Sequence, residues 1–267
     1  MSINLESINK TVIEICREAG AFIQEQRMKF EKSKIETKGL HDYVSYVDKT
    51  SEKMIVERLE NCIPNAGFIA EEGTSEHISE DYNWIIDPLD GTTNFIHGLA
   101  PYCISVGLSY RNEMILGGIY EPNLNEMFTA IRGKGAYLNG NPIHVSDTSD
   151  LDNSLLATGF PYYDYNRLEE YIELFKWCMI NTRGVRRLGS AAMDLAYVAC
   201  GRMEGFFEYG LKPWDVAAGA LIVEEAGGKV TDFEGNNNYL FGKEILAFNN
   251  KTHTDFLKTL QSYFSKT

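Results

Sequence analysis

The sequence predicts a mixed α+β and α/β protein made of two closely joined lobes. Short strands separated by turn residues follow one another between residues 102 and 138, which is typical of an antiparallel meander. From residue 154 onwards strands alternate with helical segments, which is typical of an α/β lobe. The stretch 139–152 between them is rich in Asn, Asp, Ser and Pro. We therefore predict an α+β lobe over residues 1–142 and an α/β lobe over residues 143–267.

The elements of each lobe follow from hydrophobic periodicity and from turn residues. In the N-terminal lobe we expect helices over 3–30 and 49–61, strands at 42–47, 67–70 and 84–86, and the meander strands CISVGLSY, MILGGIY and EMFTAI. Arg111-Asn112 and Pro122-Asn123 should form the turns of this meander. In the C-terminal lobe we expect strands at 154–158, 184–187, 205–209, 229–231 and 245–248, and helices at 166–180, 190–200, 214–226 and 252–264.

The composition is that of an ordinary globular protein with a strongly acidic surface. Hydrophobic residues make up 44% of the 267 residues and charged residues 24%, and the formal net charge is -13. Such a charge repels nucleic acid and anionic membranes, so we expect neither as a partner. It would also repel a phosphate substrate unless bound divalent cations inverted the local charge.

The cysteines and the N-terminal segment bear on the cellular compartment. The five cysteines are odd in number and form no C-x-x-C pair, which indicates buried free thiols in a reducing compartment. The first segment, MSINLESINKTVIEICREAG, is polar and helical and does not resemble a signal peptide. The sequence has no run of about 18 apolar residues that could span a membrane. We therefore expect a cytoplasmic protein.

The segment WIIDPLDGTTNF is the most informative part of the sequence. Its apolar start predicts a buried strand that ends at Asp87, because Pro88 has no amide hydrogen for the ladder. Asp90 follows in the turn, so two carboxylates and the Leu89 carbonyl lie where they can bind hard cations such as Mg²⁺. Amides at the start of the helix that follows would face an anion. The alternative is a pair of ordinary turns, with Thr92 capping the helix.

Two further carboxylates lie at comparable junctions. Glu71 follows the apolar strand at 67–70, and Asp215 lies at the start of a helix whose small residues permit close packing. Taken alone, Glu71 is more simply a solvated loop residue and Asp215 a helix cap. Together with Asp87 and Asp90 they are carboxylates at three separate junctions, which repel one another strongly when gathered unless cations neutralise them.

The segments AEEG, WIIDPLDGTTNF and KPWDVAAG, in this order and spacing, resemble the inositol monophosphatase family of Mg²⁺-dependent, lithium-sensitive phosphatases. RRLGSAAMDLAYVACGR at 186–202 also resembles the bacterial members of that family. The resemblance covers residues 5–260 and implies a layered αβαβα sandwich. It further implies a homodimeric phosphomonoesterase that hydrolyses myo-inositol monophosphates with roughly two to three Mg²⁺ ions in each active site.

The resemblance implies a ligand set for these ions. Glu71, Asp87 and the Leu89 carbonyl are expected to hold the first Mg²⁺. Asp87, Asp90 and Asp215 are expected to hold the second, and a third, looser ion would involve Glu71 and waters. Metal-assisted in-line hydrolysis of this kind requires no covalent phosphoenzyme.

The resemblance also implies residues that act on water and on the substrate. The catalytic residues would be Glu71, Thr92 and Asp48, of which Thr92 and Asp48 activate the attacking water. Asp48 lies in DYVSYVDK, which departs from the family's D-x-V-T-x-x-D because Ser45 replaces the Thr. The implied substrate contacts are Gly91 and Thr92 for the phosphate, backbone groups of Gly189, Ser190 and Ala191 for the ring, and Glu208 for inositol hydroxyls. Lys38 matches the family's lysine in the loop before the first strand only loosely.

Other functions stay open from the sequence. Phosphatases of the same superfamily act on fructose 1,6-bisphosphate, adenosine 3′,5′-bisphosphate and NADP(H). Glu208 favours a polyol, because a carboxylate suits hydroxyl groups and repels a second phosphate. A protein-interaction module that binds Mg²⁺ only structurally is a different class of function, although all four carboxylates are present. The segment from Tyr162 to Tyr165 could line a substrate entrance or form a surface turn or partner contact.

Overall fold

The computed structural model describes residues 3–29, 35–39, 42–75, 77–162 and 164–264. The predictions for the Lys38 side chain and for Tyr163 lie outside what is described. The helices are α1 (Leu5–Lys29), α2 (Tyr46–Leu59), α3 (Thr92–His97), α4 (Leu168–Asn181), α5 (Ala191–Ala199), α6 (Pro213–Glu225) and α7 (His253–Phe264). The strands are β1 (Ile35–Gly39), β2 (Asp42–Ser45), β3 (Gly67–Ala70), β4 (Tyr82–Asp90), β5 (Cys103–Tyr110), β6 (Glu113–Glu121), β7 (Glu126–Ile131), β8 (Ala136–Leu138), β9 (Asn141–Ile143), β10 (Leu155–Thr158), β11 (Gly184–Arg186), β12 (Gly205–Tyr209), β13 (Lys229–Thr231) and β14 (Glu244–Phe248). Among these helices, none is both long and apolar enough to cross a bilayer.

The strands form two large sheets and one two-stranded ribbon of β1 and β2. The first sheet has the order β3-β4-β5-β6-β7-β8-β9, and its neighbours are antiparallel except for the parallel pair of β3 and β4. The second sheet has the order β11-β10-β12-β14-β13, in which β11, β10 and β12 are parallel. The predicted meander is therefore confirmed as β5 to β7, and β8 and β9 extend it beyond the prediction. The division into lobes at residue 142 stays a prediction.

Three hydrophobic clusters establish the order of the layers. One cluster packs α1 and α2 against the first sheet. A second lies between the two sheets and contains α5 and α6. The third packs α4 and α7 on the outer face of the second sheet. The order helix, sheet, helix, sheet, helix confirms the predicted αβαβα sandwich.

Helix α6 lies with its backbone directly against the first sheet. A Cβ atom at Gly117 of β6 would be 2.8 Å from the Ala218 carbonyl oxygen, nearer than side-chain carbons approach such an atom. On the neighbouring face of α6, a Cβ atom at Gly219 would be 2.6 Å from the Leu195 side chain of α5. Both glycines therefore permit a closer approach than any other residue would. Because Asp215 lies in the first turn of α6, this packing fixes its position relative to the first sheet.

The five cysteines are free thiols. Cys16, Cys103 and Cys178 are buried, whereas Cys62 and Cys200 are half-buried. Burial raises the pKa of Cys16 and of Cys178 to about 12. Because the thiolate is the reactive form, these two thiols act as packing groups rather than as nucleophiles.

Candidate active site

The end of β4 carries the first part of the candidate site. The prediction that this strand ends at Asp87 is wrong, because β4 continues through Pro88 to Asp90. Asp87 pairs with Ser105 and Asp90 with Cys103, so three steps along β4 match two along β5. This is a β-bulge, one of the few places in a sheet where the missing amide hydrogen of a proline is tolerated. On a regular strand, residues three apart face opposite sides of the sheet. Because of the extra residue in the bulge, Asp87 and Asp90 need not do so.

The Asp87 carboxyl group is buried among other carboxylates. It is 2% exposed, and its Oδ1 accepts a hydrogen bond from the Leu89 amide at 2.9 Å. Burial, and then repulsion by Glu71, Asp90 and Asp215, raises its pKa well above the ordinary value. Glu71 after β3, Asp90 on β4 and Asp215 on α6 therefore all act electrostatically on Asp87.

Asp90 and Asp215 are each anchored by hydrogen bonds. Asp90 Oδ2 accepts from the Ser190 hydroxyl and from the Ala192 amide, both at 2.7 Å, which ties β4 to the start of α5. Asp215 Oδ2 accepts from the Lys212 amide at 2.7 Å and so caps α6. Burial raises the pKa of both carboxyl groups, and with the nearby charge of Asp90 it brings that of Asp215 to about 7. Asp215 is therefore a helix cap and also a neighbour of Asp90.

The donor atoms at this site fit a hard divalent cation. One oxygen of Asp87 and one of Asp215 bind a backbone amide, and no protein group among the described residues donates to the other oxygen of either. The Leu89 carbonyl oxygen lies 3.0 Å from Thr92 Oγ1 and keeps at least one free lone pair whether or not it accepts the Thr92 hydrogen. All of these donors are oxygens, which Mg²⁺ prefers. Among the described residues no three Asp, Glu, His or Cys side chains form a preassembled metal cluster.

The structure joins Thr92 to Asp48, which is far from it in sequence. Thr92 Oγ1 lies 2.9 Å from Asp48 Oδ1 and 3.0 Å from the Leu89 carbonyl oxygen, and it can donate its hydrogen to either. Asp48 is 1% exposed, and its Oδ2 accepts from the amide and the hydroxyl of Ser45 at 2.8 and 2.6 Å. Burial raises the pKa of Asp48. Ser45 thus provides a hydroxyl where the family has Thr, and α2 keeps its capping box.

The predicted ring-binding segment lies beside Asp90. Gly189 has a φ of 93°, and the Asn94 side chain lies against its Cα, so a side chain at this position would be both strained and obstructed. Asn94 Nδ2 lies 2.7 Å from the Leu188 carbonyl oxygen, which ties this segment to α3. The Ser190 hydroxyl donates to Asp90 and accepts from the Met193 amide as the cap of α5, so only the Ser190 backbone is available to a ligand. Ala191 is the first residue of α5.

Glu208 lies on β12 and interacts electrostatically with the site carboxylates Asp90 and Asp215. Burial raises the pKa of its carboxyl group to about 8, the charge of Arg187 opposes the shift, and Asp215 and Asp90 add to it. The Arg187 guanidinium carbon lies 5.3 Å from the Phe160 ring centre and 5.8 Å from that of Tyr162. One of the tyrosines singled out from the sequence is therefore next to a cation that acts on Glu208.

Glu52 is a buried residue of this region that the sequence analysis missed. It is fully buried, its Oε2 accepts from the Glu72 amide at 2.7 Å, and its Oε1 accepts from the Thr74 amide at 2.8 Å. It therefore fastens the loop that follows Glu71 to helix α2. The available signal was its position four residues after Asp48, on the same face of a helix.

Asp194 is a second buried carboxyl group that the sequence analysis missed. It is 1% exposed on α5, and neither of its oxygens has a hydrogen-bond partner within the described residues. Burial, and then repulsion by Glu208, raises its pKa well above the ordinary value. An aspartate inside the apolar run AAMDLAYVA was the signal, because such a side chain is seldom buried without a reason.

Comparison with known proteins identifies the family of this chain. The family model described as Inositol monophosphatase family matches residues 4–264 of the chain. The chain belongs to the inositol monophosphatase family. This confirms the resemblance stated from the sequence motifs.

Relatives within the inositol monophosphatase family carry two kinds of name. The "Putative Nus factor SuhB" of Neisseria meningitidis serogroup B is 41% identical over 254 residues, which cover 95% of this chain and 97% of that protein. A crystal structure titled extragenic suppressor protein suhB from Bartonella henselae has a TM-score of 0.89 at 37% identity, covering 96% of this chain and 98% of that one. The inositol monophosphatase from Anabaena has a TM-score of 0.85 at 39% identity, covering 97% of both chains.

Proposed function

We propose that this chain is a Mg²⁺-dependent phosphomonoesterase that hydrolyses myo-inositol monophosphates to inositol and phosphate. The observation that carries the proposal is the buried Asp87 carboxyl group, whose pKa is raised by burial and by the charges of Glu71, Asp90 and Asp215. A protein gains nothing in stability from gathering four like charges. Such an arrangement is useful when cations and an anionic ester occupy it together.

The residues present would hold the ions in the way the family resemblance implies. Glu71, Asp87 and the Leu89 carbonyl would hold one Mg²⁺, and a third, looser ion would share Glu71. Asp87, Asp90 and Asp215 would hold the second. When bound, Mg²⁺ supplies charge neutralisation of the phosphate oxygens and polarisation of the attacking water.

Thr92 and Asp48 would handle the proton of the attacking water. Because the Thr92 hydroxyl can donate its hydrogen to Asp48 Oδ1, its oxygen is free to accept a hydrogen bond from water. A proton can then pass from water to Thr92 Oγ1 as the Thr92 hydrogen passes to Asp48. The two hydrogen bonds from Ser45 keep the Asp48 carboxyl group in place.

The remaining predicted residues would bind the ester. The amides of Gly91 and Thr92 would contact the phosphate, and the backbone of Gly189, Ser190 and Ala191 would contact the ring. Glu208 would accept hydrogen bonds from ring hydroxyls. A carboxyl group here offers no positive charge to bind a second phosphate, and so Glu208 favours inositol phosphates over fructose 1,6-bisphosphate and NADP(H).

A panel of phosphate esters tests this assignment. With Mg²⁺ present, kcat/KM for inositol 1-phosphate should exceed that for fructose 1,6-bisphosphate, adenosine 3′,5′-bisphosphate and NADP(H) by at least about tenfold. Removal of Mg²⁺ with a chelator should abolish turnover, and Li⁺ should inhibit it. A preference for one of the other esters would replace the substrate assignment, and hydrolysis of none would refute the phosphatase.

Glu52 gives a prediction for metal binding in the absence of substrate. Glu52→Gln should weaken the affinity for Mg²⁺ about tenfold, because a hydrogen bond to a charged group contributes roughly 1.5–3 kcal/mol and this one holds the loop after Glu71. Isothermal titration with Mg²⁺ alone measures the effect. The matched control is Glu57→Gln, an exposed residue of the same helix paired with Lys53. Equal affinities for the two variants would contradict the role of Glu52.

A second function is favoured by the name of the relatives. Proteins 41% identical to this chain are named Nus factors, and this name conflicts with the prediction that nucleic acid plays no part; we therefore withdraw that prediction. The second candidate function is therefore that of a Nus factor, acting in the cytoplasm as a homodimer. This function is compatible with a complete set of site carboxylates. Asp87→Asn separates the two functions, since a role that survives this substitution does not depend on hydrolysis.

A further inference from the structure

Gly159 lies directly after β10 and beside Glu208. β10 and β12 are parallel, and the last pair of their register joins Thr158 to Phe207. The next residue on each strand is Gly159 and Glu208. The two therefore lie side by side where adjacent parallel strands end, which is where ligands of α/β sheets commonly bind.

The Glu208 carboxyl group occupies the space where a side chain of residue 159 would be. A Cβ atom built on Gly159 would overlap the carboxyl carbon and both carboxyl oxygens of Glu208. The backbone at Gly159 is not in the left-handed region, so its conformation alone does not require glycine. What requires glycine at this position is the room taken by Glu208.

The backbone of Gly159 is held in place from the other side. Its carbonyl oxygen accepts a hydrogen bond from the Tyr171 hydroxyl at 2.7 Å. Tyr171 is 2% exposed and stacks on Phe175, with ring centres 6.2 Å apart. The Thr158 hydroxyl donates to the Phe207 carbonyl at 2.8 Å, which couples the same segment to β12. A methyl group at residue 159 would therefore move Glu208 rather than the backbone.

We propose that Gly159 is a positioning residue that aims the Glu208 carboxyl group at the hydroxyl groups of the substrate. This inference rests on the proposed function of Glu208. The segment just after Gly159 also carries Phe160 and Tyr162, over which Arg187 lies. The segment 159–162 therefore contacts both the Glu208 carboxyl group and the Arg187 cation that moderates its charge. Selection of a polyol ester depends on the position of this carboxyl group, whereas cleavage of the phosphate does not.

Gly159→Ala tests the proposal with two esters that differ in their hydroxyl groups. For inositol 1-phosphate, KM should rise about tenfold with kcat changed less than about threefold, because uniform binding is lost and not transition-state stabilisation. For p-nitrophenyl phosphate, which has no ring hydroxyls, both constants should change less than about twofold. Equal losses on the two esters, or an unchanged KM for inositol 1-phosphate, would overturn the proposal.

A double-mutant cycle separates positioning from general packing. In the Glu208→Ala background the carboxyl group is absent, so adding Gly159→Ala should change KM for inositol 1-phosphate no further. An additive effect would contradict the proposal. If Gly159→Ala alone does not fold, Glu208→Asp can be used, because the shorter side chain moves the carboxyl group away from Gly159 without adding a methyl group. That variant should raise KM selectively for inositol 1-phosphate, and an unchanged KM would again overturn the proposal.

The wild-type protein distinguishes this inference from the proposed function itself. Turnover of neither ester by the wild type would refute the phosphatase. Turnover of both by the wild type, with an unchanged selectivity in Gly159→Ala, would refute only the role of Gly159.

Discussion

Replacing Asp87 with asparagine should lower kcat for inositol 1-phosphate at least about 100-fold, which corresponds to a loss of roughly 3 kcal/mol of transition-state stabilisation. Asparagine has the same shape and can still accept the hydrogen bond from the Leu89 amide. What the variant lacks is the negative charge that both proposed Mg²⁺ sites share. The fold should therefore persist while metal binding fails.

The stability of the same variant gives a readout independent of activity. In the absence of Mg²⁺, removing one of four mutually repelling charges should raise the melting temperature, and the further increase on adding Mg²⁺ should shrink. Asp81→Asn, at an exposed residue paired with Arg111, is the matched control and should behave like the wild type. Near-normal turnover in Asp87→Asn would remove Asp87 from the proposed metal centre.

Thr92→Val should lower kcat about 100-fold with a smaller change in KM, because proton transfer by positioned groups contributes roughly 10²–10⁴-fold. Valine preserves the volume of the side chain but removes the hydroxyl that hydrogen-bonds to Asp48 and that we propose to accept the proton of the attacking water. Steady-state kinetics at saturating Mg²⁺ measure this loss. The neighbouring Thr93 is exposed, and Thr93→Val should leave kcat within about twofold of the wild type. A variant at Thr92 with full kcat would show that water is activated by another group.

Most of the fold could be predicted from the sequence because its turns are marked by residues with special backbone requirements. Arg111 and Asn112 have φ values of 50° and 67°, so the turn predicted between the first two meander strands is a true left-handed one. The strands β8 and β9 have only three residues each, which is too short for alternation to stand out. The bulge in β4 was missed for a different reason. Proline forbids a regular ladder, and nothing in the local sequence shows that an irregular one replaces it.

The candidate site was predictable where its residues lie in one local segment, and much less so elsewhere. The residues from Asp87 to Thr92 could be predicted because an apolar strand, a proline and two carboxylates follow one another directly in the sequence. Glu52 binds amides about twenty residues away, and Gly159 accommodates a carboxyl group from another strand. Such contacts depend on which segments the fold brings together. A glycine whose space is filled by a distant side chain looks, in sequence, like any other turn residue.

The close approach of Gly117 to the Ala218 carbonyl has a mechanical consequence for the proposed Mg²⁺ site. A peptide group is incompressible and has no rotamers, so the distance between β6 and α6 is fixed here, whereas side chains in contact could adjust by changing rotamer. Asp215 in the first turn of α6 is thereby held relative to the sheet that carries Asp87, and we expect the size of cation accepted by the proposed Mg²⁺ site to depend on a glycine that is not one of its ligands.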